Sequence, residues 1–187
     1  MSYRDTVLAV AYQELSQPVH WKAHEARILD YFRVSSGVNY AKAQALEVSW
    51  CSYFVHWCLV KGGMQPLPQV GTAGTLGDMG SVGRFMKGKG GVYDTYNVAK
   101  KEYQPKPGDM YYRPTPNNHI GFISDVREAG NGAYEIQSID GNSGPMGFSP
   151  FFDISHGRKI GYGFIFQPDS WRKLAGECWY IKLCDED

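Results

Sequence analysis

The sequence has no excess of either charge and no long apolar stretch. Its 187 residues include 19 basic and 19 acidic side chains, for a formal net charge of zero. A chain balanced in this way provides no broad field that would attract nucleic acid or an anionic membrane surface. No apolar run approaches the roughly 20 residues that a membrane-spanning helix needs. We therefore expect no nucleic-acid partner and no membrane insertion.

Cysteine is also scarce, and its spacing argues against two common roles. Four cysteines in a chain of this length do not make a disulfide framework. The sequence has no CxxC pair and no Cys/His cluster with the spacing of a zinc site, so no metal is expected. Cys178 and Cys184 flank "WYIKL". Only a tight reversal in that segment would bring their Cα atoms within the ~7 Å that a disulfide requires.

The amino-terminal segment "MSYRDTVLAVAYQEL" lacks the features of a secretory signal. Asp5 and Glu14 lie on either side of its short apolar core, and no small-residue cleavage site follows. The segment predicts an amphipathic helix instead. We expect a protein made in the cytoplasm without a signal peptide, which another route exports if it acts outside.

Helical spacing dominates the first part of the chain and strand spacing the last. Apolar residues recur every three or four positions at Val7, Val10, Ala11 and Leu15, and again at Ile28, Leu29 and Phe32. "AKAQALE" predicts a third helical piece, and residues 62–91 predict loop and short helix. After the turn "KPGD" the pattern becomes strand-like in "MYYR", "HIGFISDV", "AYEIQSI" and "KIGYGFIF", with "EAGNG" as a hairpin turn. This order predicts a single α+β domain over residues 1–187.

The stretch "SWCSYFVHWC" predicts a helix that begins near a cysteine. Ser49 is a plausible N-cap, which puts Trp50 and Cys51 in the first turn. A thiol there feels the positive end of the helix dipole, which lowers its pKa toward neutral pH. The buried stripe of the same helix is predicted at Phe54, Val55, Cys58 and Leu59. Cys51 is therefore a candidate nucleophile, although a small buried cysteine is the commoner role of this residue type.

A cysteine nucleophile needs a base, and the sequence offers five histidines. His56 is five residues beyond Cys51, so on a helix it points away from the thiol. His20 and His24 resemble an HExxH pair but lack the glutamate, and His156 lies in a turn-like stretch. His119 remains as the candidate base.

His119 opens the strand "HIGFISDV" directly after the irregular loop "RPTPNN". Strand alternation puts His119, Gly121, Ile123 and Asp125 on one face and Ile120, Phe122 and Val126 on the other. The missing side chain at Gly121 leaves space beside the imidazole for another group.

The strand that follows ends in "SIDGNSG", which contains two candidates for the third catalytic position. Asp140 or Asn142 could accept a proton from the imidazole and fix its tautomer. The letters "DGN" are also typical of a turn. From the residues alone the choice stays open.

Taken together, "SWCSYFVHWCLVKGGM", "KPGDMYYR", "HIGFISDV" and "SIDGNSG" resemble the CHAP family of cysteine, histidine-dependent amidohydrolases and peptidases. The resemblance covers about residues 5–168 and leaves 169–187 as a C-terminal extension. It implies a papain-like fold, with the cysteine helix packed on an antiparallel sheet. It also implies that Cys51 is the nucleophile and His119 the base, with Asp140 as the orienting group and Asn142 as a supporting polar group.

The resemblance further implies a peptidoglycan hydrolase that needs no metal or organic cofactor. The expected reaction is cleavage of an amide bond, either between muramic acid and L-alanine or within the peptide stem and cross-bridge. The expected setting is the periplasm or cell wall, reached as a phage-type lysin or as an antibacterial effector with a cognate immunity protein. The alternatives are a protein-directed cysteine protease or deamidase toxin, and an inactive papain-like binding module.

Overall fold

The computed structural model describes residues 2–17, 25–36, 50–63, 93–114, 119–143, 151–153, 158–161 and 164–183. Within these ranges three α-helices precede all the strands: α1 (Tyr3–Leu15), α2 (Glu25–Ser36) and α3 (Cys51–Lys61). The predicted order of helices before strands is confirmed, and the fold class is α+β. The predictions for "AKAQALE" and for nearly all of residues 62–91 lie outside the described residues.

The strands form one large antiparallel sheet and one small hairpin. They are β1 (Tyr93–Asn97), β2 (Met110–Arg113), β3 (His119–Gly130), β4 (Ala133–Ser143), β5 (Phe151–Asp153), β6 (Arg158–Gly161), β7 (Phe164–Phe166), β8 (Arg172–Lys173) and β9 (Trp179–Leu183). The large sheet has the order β1-β9-β2-β3-β4-β7, and β8 also pairs with β4. Strands β5 and β6 pair with each other. All of these pairings are antiparallel, as predicted.

Strands β8 and β9, which follow residue 168, belong to the large sheet. Strand β9 lies between β1 and β2, and β8 lies beside β4. Ile181 and Leu183 of β9 are buried in the apolar core that the helices form with one face of the sheet, and Tyr180 is buried in a second apolar cluster on the opposite face. A short apolar strand can therefore follow the motif-bearing segment and still pair with strands far away in the sequence.

The disulfide hypothesis for Cys178 and Cys184 is wrong. It required a tight reversal, whereas Trp179–Leu183 between the two cysteines is an extended strand. A strand rises about 3.3 Å per residue, so its ends lie well beyond the ~7 Å limit for a bond. Cys178 is buried and not disulfide-bonded. Cys184 lies outside the described residues.

Two predicted turns have the backbone geometry that their residues favour. In "KPGD" the Lys106 carbonyl accepts the Asp109 N–H at 3.0 Å, and Gly108 has a φ of 89°, as in a type II turn. Between β3 and β4, Asn131 and Gly132 have φ values of 54° and 68°, as a type I′ hairpin requires.

The buried carboxylate of Asp109 connects the KPGD turn to distant elements. It accepts the backbone N–H groups of Lys106 at 2.8 Å and Leu183 at 3.1 Å, and the Tyr103 hydroxyl at 2.6 Å. Burial raises the pKa of this carboxyl more than these hydrogen bonds lower it. The contacts hold β9 beside the turn that leads into β2.

Helix α3 packs against the other two described helices and against the sheet. It contacts α1, α2, β3 and β4, and every residue from Cys51 to Leu59 is buried. A single buried stripe at Phe54, Val55, Cys58 and Leu59 was therefore too narrow a prediction. Because neighbouring elements cover each side of the helix, burial includes polar residues such as Ser52 and His56 as well as the apolar stripe.

A bulge in β3 changes which side chains share a face. Ile120 and Phe122 pack with the helices as predicted, and Ile123 packs in the cluster on the opposite face. The pairing with β4 then shifts between Ile123 and Asp125. Because one extra residue inverts the alternation, Val126 lies on the Ile123 face instead of the Phe122 face.

Two features are absent from the residue ranges that the structure describes. None of the helices in these ranges is long and apolar enough to cross a bilayer. No group of three or more His, Cys, Asp or Glu side chains in the same ranges could hold a metal ion.

Candidate active site

Cys51 is the first residue of α3, one position closer to the helix start than predicted. The N-cap is Trp50, with φ −104° and ψ 11°, and it makes no side-chain capping hydrogen bond. Trp50 is fully buried and stacks on Tyr31 with 5.8 Å between ring centroids. Aromatic packing therefore accompanies the helix start where a serine cap was expected; Ser49 lies outside the described residues.

The backbone at the start of α3 carries N–H groups that lie outside the helix ladder and near the Cys51 thiol. The first bond of the helix ladder runs from the Phe54 N–H to the Trp50 carbonyl at 3.0 Å. The N–H groups of Cys51, Ser52 and Tyr53 precede it and are not part of that ladder. Such groups can stabilise a negative charge that develops beside the thiol.

His119 contacts both Cys51 and Asp140. It is the first residue of β3, as predicted, and its side chain is 13% exposed. Its Nε2 lies 3.4 Å from Oδ1 of Asp140, and its imidazole hydrogen-bonds the Cys51 thiol. Three of the four predicted site residues therefore form one connected group.

Two glycines permit this close approach. A Cβ atom on Gly121 would lie 2.0 Å from Oδ1 of Asp140, so the space predicted beside Gly121 is occupied by that carboxylate. A Cβ atom on Gly141 would lie 2.6 Å from the Cβ of Phe54. Gly121 therefore admits the acid to the histidine, and Gly141 lets β4 pack tightly on the cysteine helix.

Asp140 is completely buried and receives hydrogen bonds on both oxygens. Its Oδ1 accepts the Tyr111 hydroxyl at 2.7 Å and faces His119. Its Oδ2 accepts the Ser138 hydroxyl at 2.9 Å and Nη2 of Arg172 at 2.7 Å. The carboxylate is thus fixed in orientation, with one oxygen assigned to the imidazole.

The electrostatics of the group favour a charged histidine and a charged acid. Burial opposes ionisation of Asp140, but Arg172 and His119 together hold the pKa of that carboxyl well below its usual value. Burial also disfavours the charged form of His119 and by itself would lower its pKa. The contacts with Asp140 and Cys51 have the larger effect and raise the pKa of His119 to about 9. At neutral pH the imidazole is therefore protonated and can form an ion pair with a Cys51 thiolate.

Asn142, the other candidate for the third position, has a different local setting. It lies two residues beyond Asp140 in β4, is 9% exposed and has a φ of 55°. The pairing of β4 with β7 shifts between Asp140 and Ser143, which includes this residue. Asparagine tolerates the left-handed conformation better than most residues. The described contact with His119 comes from Asp140.

The other cysteine and histidine candidates from the sequence are not part of the described group of Cys51, His119 and Asp140. Cys58 is fully buried in the middle of α3, where burial and the nearby Glu14 raise the pKa of its thiol well above the ordinary value. His56 is a buried residue of the same helix. The predictions for His20, His24 and His156 lie outside the described residues.

Tyr111, Ser138 and Arg172 contact Asp140 but were not predicted as site residues. Ser138 is two positions before Asp140, so strand alternation alone could have placed it on the same face. Tyr111 lies opposite Gly121 in the β2–β3 pairing, which requires the strand register. Arg172 had no sequence signal, because it reaches the site from β8, beyond the segment that carried the motifs.

Comparison with known proteins adds no relative to this description: no protein-family model, no curated protein and no solved structure matches the chain. The chemistry that the site can perform is therefore inferred from its own geometry. A thiol, an imidazole and a carboxylate in series are the groups that attack a carbonyl carbon, transfer the proton and orient the base.

Proposed function

We propose that this protein is a cysteine-dependent hydrolase of the CHAP type that cleaves an amide bond of peptidoglycan. The observation that carries the chemical part of the proposal is the contact of His119 with both Cys51 and Asp140. The choice of peptidoglycan as substrate depends on the resemblance of the four sequence motifs to that family. A papain-like arrangement of the fold is part of the same proposal.

In the proposed acylation step, the Cys51 thiolate attacks the carbonyl carbon of the amide. The negative charge that develops on the carbonyl oxygen is stabilised by backbone N–H groups at the start of α3. His119 donates its proton to the leaving nitrogen, the C–N bond breaks, and the amine departs. The products of this step are a thioester on Cys51, a free amine and a neutral imidazole.

In the deacylation step, His119 takes a proton from a water molecule, which attacks the thioester carbon. The C–S bond breaks, and Cys51 leaves as the thiolate beside the reprotonated imidazole. The released acid loses its proton to solvent. Asp140 holds the imidazole in one tautomer and orientation in both steps, as the acid of such a triad does.

The proposed setting is the periplasm or cell wall, where the substrate lies. Either a phage-type lysin or an exported antibacterial effector has this activity. An effector would require an immunity protein in the producing cell, and we expect that protein to occlude Cys51.

The test compares compartments in a Gram-negative host. Wild type and Cys51→Ala are each expressed with and without a secretory signal, and growth and cell shape are followed by microscopy. We expect lysis or rounding only with exported wild type. Mass spectrometry of muropeptides from the same cells then identifies the bond that is cut. The structurally matched control is Cys58→Ala, which should still lyse cells when exported.

Other outcomes would favour the alternatives. Killing from the cytoplasm that depends on Cys51 would contradict a wall hydrolase and support a protein-directed protease or deamidase. Identical behaviour of wild type and Cys51→Ala in both compartments would support an inactive binding module.

A further inference from the structure

Arg172 makes the closest cationic contact with the acid of the candidate site. Strand β8 brings it there by pairing Arg172 with Ile136 of β4. Its Nη2 donates to Oδ2 of Asp140 at 2.7 Å and also to the Ser138 hydroxyl. The guanidinium lies 5.3 Å from the centroid of the Tyr111 ring, at the distance of a cation–π contact. The arginine is therefore held by three groups of the site.

The two oxygens of Asp140 have separate partners. Arg172 and Ser138 bind Oδ2, whereas the Tyr111 hydroxyl binds Oδ1, which faces His119. Loss of the arginine would leave a hydroxyl donor on each oxygen. The carboxylate would then keep its place and lose a positive charge.

That charge matters because Asp140 is 0% exposed. A buried carboxylate is costly unless a cation or several hydrogen bonds compensate for it. Within the part of the chain that the structure describes, two basic side chains contact it, His119 and Arg172. In the proposed reaction His119 becomes neutral once per cycle, and at that moment Arg172 is the cation among the described residues that still balances the carboxylate.

We propose that Arg172 is a positioning residue for His119, acting through Asp140: it keeps the acid ionised while the imidazole gives up its proton. Without Arg172, the buried acid would share the proton of His119 and oppose its transfer. This inference depends on the proposed catalytic role of His119 and adds to it a residue from outside the motif-bearing segment.

The groups that face His119 decide how its titration is interpreted. They come from three elements: Cys51 of α3, Asp140 of β4, and Tyr111 and the cross-strand neighbour Arg113 of β2. Arg172 acts on the imidazole through Asp140. A change in midpoint that is specific to Arg172 must therefore be shown with all of these residues intact.

The experiment is an NMR titration of His119 in the folded, full-length protein, with the resonance assigned from His119→Gln. In the wild-type protein His119 should titrate with a pKa of about 9. In Arg172→Met we expect the midpoint to rise by about one unit, the size of effect that a nearby charge produces. Arg172→Lys, which retains the cation, should restore the wild-type midpoint. Arg27→Met, which removes an arginine paired with Glu14 instead of Asp140, should leave it unchanged.

An unchanged or lower midpoint in folded Arg172→Met would overturn the inference. So would a rise of equal size in Arg172→Lys, because that variant keeps the charge. In turnover assays Arg172→Met should lose about tenfold in kcat with little change in KM, since one pKa unit corresponds to a factor of ten.

A second measurement covers the case in which Arg172→Met does not fold. Thermal unfolding is compared for Arg172→Met, Asp140→Asn and the double variant. If the arginine compensates the buried acid, removing both should restore stability relative to removing either one. A double variant no more stable than its singles would overturn the inference.

These readouts separate the inference from the proposed function. Neither the titration nor the unfolding requires a substrate. A wild-type protein that does not digest peptidoglycan, but whose His119 midpoint moves with Arg172, would contradict the function and leave the arginine's role standing. An active enzyme with an unmoved midpoint would do the reverse.

Discussion

Two buried clusters of this protein contain the same kinds of side chain and differ in what lies between the acid and the cysteine. In the Glu14 cluster, Arg27 and the Tyr31 hydroxyl bind the carboxylate of Glu14 directly, and Cys58 lies nearby. In the Asp140 cluster, Arg172 and Tyr111 bind the carboxylate in the same way. Here His119 lies between the acid and Cys51.

The difference shows what an imidazole does to a buried thiol. Burial and the negative charge of Glu14 both raise the pKa of Cys58, so that thiol stays protonated. In the Asp140 cluster the acid raises the pKa of His119 instead, and the resulting imidazolium attracts a thiolate. An acid near a cysteine raises the pKa of the thiol, whereas an acid that contacts a histidine raises the pKa of the imidazole.

The largest expected effect is the contrast between the two cysteines. Cys51→Ala should abolish hydrolysis and leave the fold intact, because it removes the nucleophile and only a few atoms. Cys58→Ala should retain activity and lose about 1 kcal/mol or more of unfolding free energy, since it opens a small cavity in the core. Muropeptide release and urea unfolding measure the two quantities. Normal release by purified Cys51→Ala would contradict the mechanism.

The second effect concerns pH. The pKa of His119 is about 9 in the folded protein, above the ordinary 6.5. The stabilisation from this group is therefore complete below about pH 6.5 and disappears as the pH rises through about 9. The difference in unfolding free energy between wild type and His119→Gln should shrink across that range, and activity should fall above it. A difference that does not vary with pH would contradict the assigned contacts.

The third effect tests the approach of the acid to the histidine. In Gly121→Ala the new methyl group would occupy the position of Oδ1 of Asp140 and force the carboxylate aside. We expect activity to fall by about tenfold or more, because a misplaced base loses much of its effect. Ser124→Ala, in the same strand, is the control and should remain active. Wild-type activity in a folded Gly121→Ala protein would show that Asp140 need not face His119.

The smallest expected effect is in the Glu14 cluster. Arg27→Met leaves Glu14 buried with the Tyr31 hydroxyl as a remaining donor. Because the Arg27 side chain is 35% exposed, we expect a loss of only about 2 kcal/mol in unfolding free energy. Activity measured well below the unfolding temperature should not change. Lost activity in a stable Arg27→Met protein would mean that the two clusters are coupled through α3.

Local patterns predicted the elements of the site well and their boundaries less well. The start of β3 at His119, the KPGD turn and the Asn131–Gly132 hairpin follow from turn chemistry and alternation, which act over a few residues. The start of α3 was misplaced by one residue, at a position where Trp50 packs against Tyr31. Val126 was assigned to the wrong face because a bulge leaves no clear mark in the letters.

The sequence by itself determined the residue types and their order: a cysteine near a helix start, a histidine opening a strand and an acid near the end of the next. It could not choose between Asp140 and Asn142, since both fit the motif. The tertiary structure brings Asp140 into contact with the imidazole, because Gly121 leaves room for that carboxylate, whose Oδ1 lies 3.4 Å from Nε2 of His119. It also decided that Arg172 joins the site, since pairing between β8 and β4 joins segments that no local pattern connects.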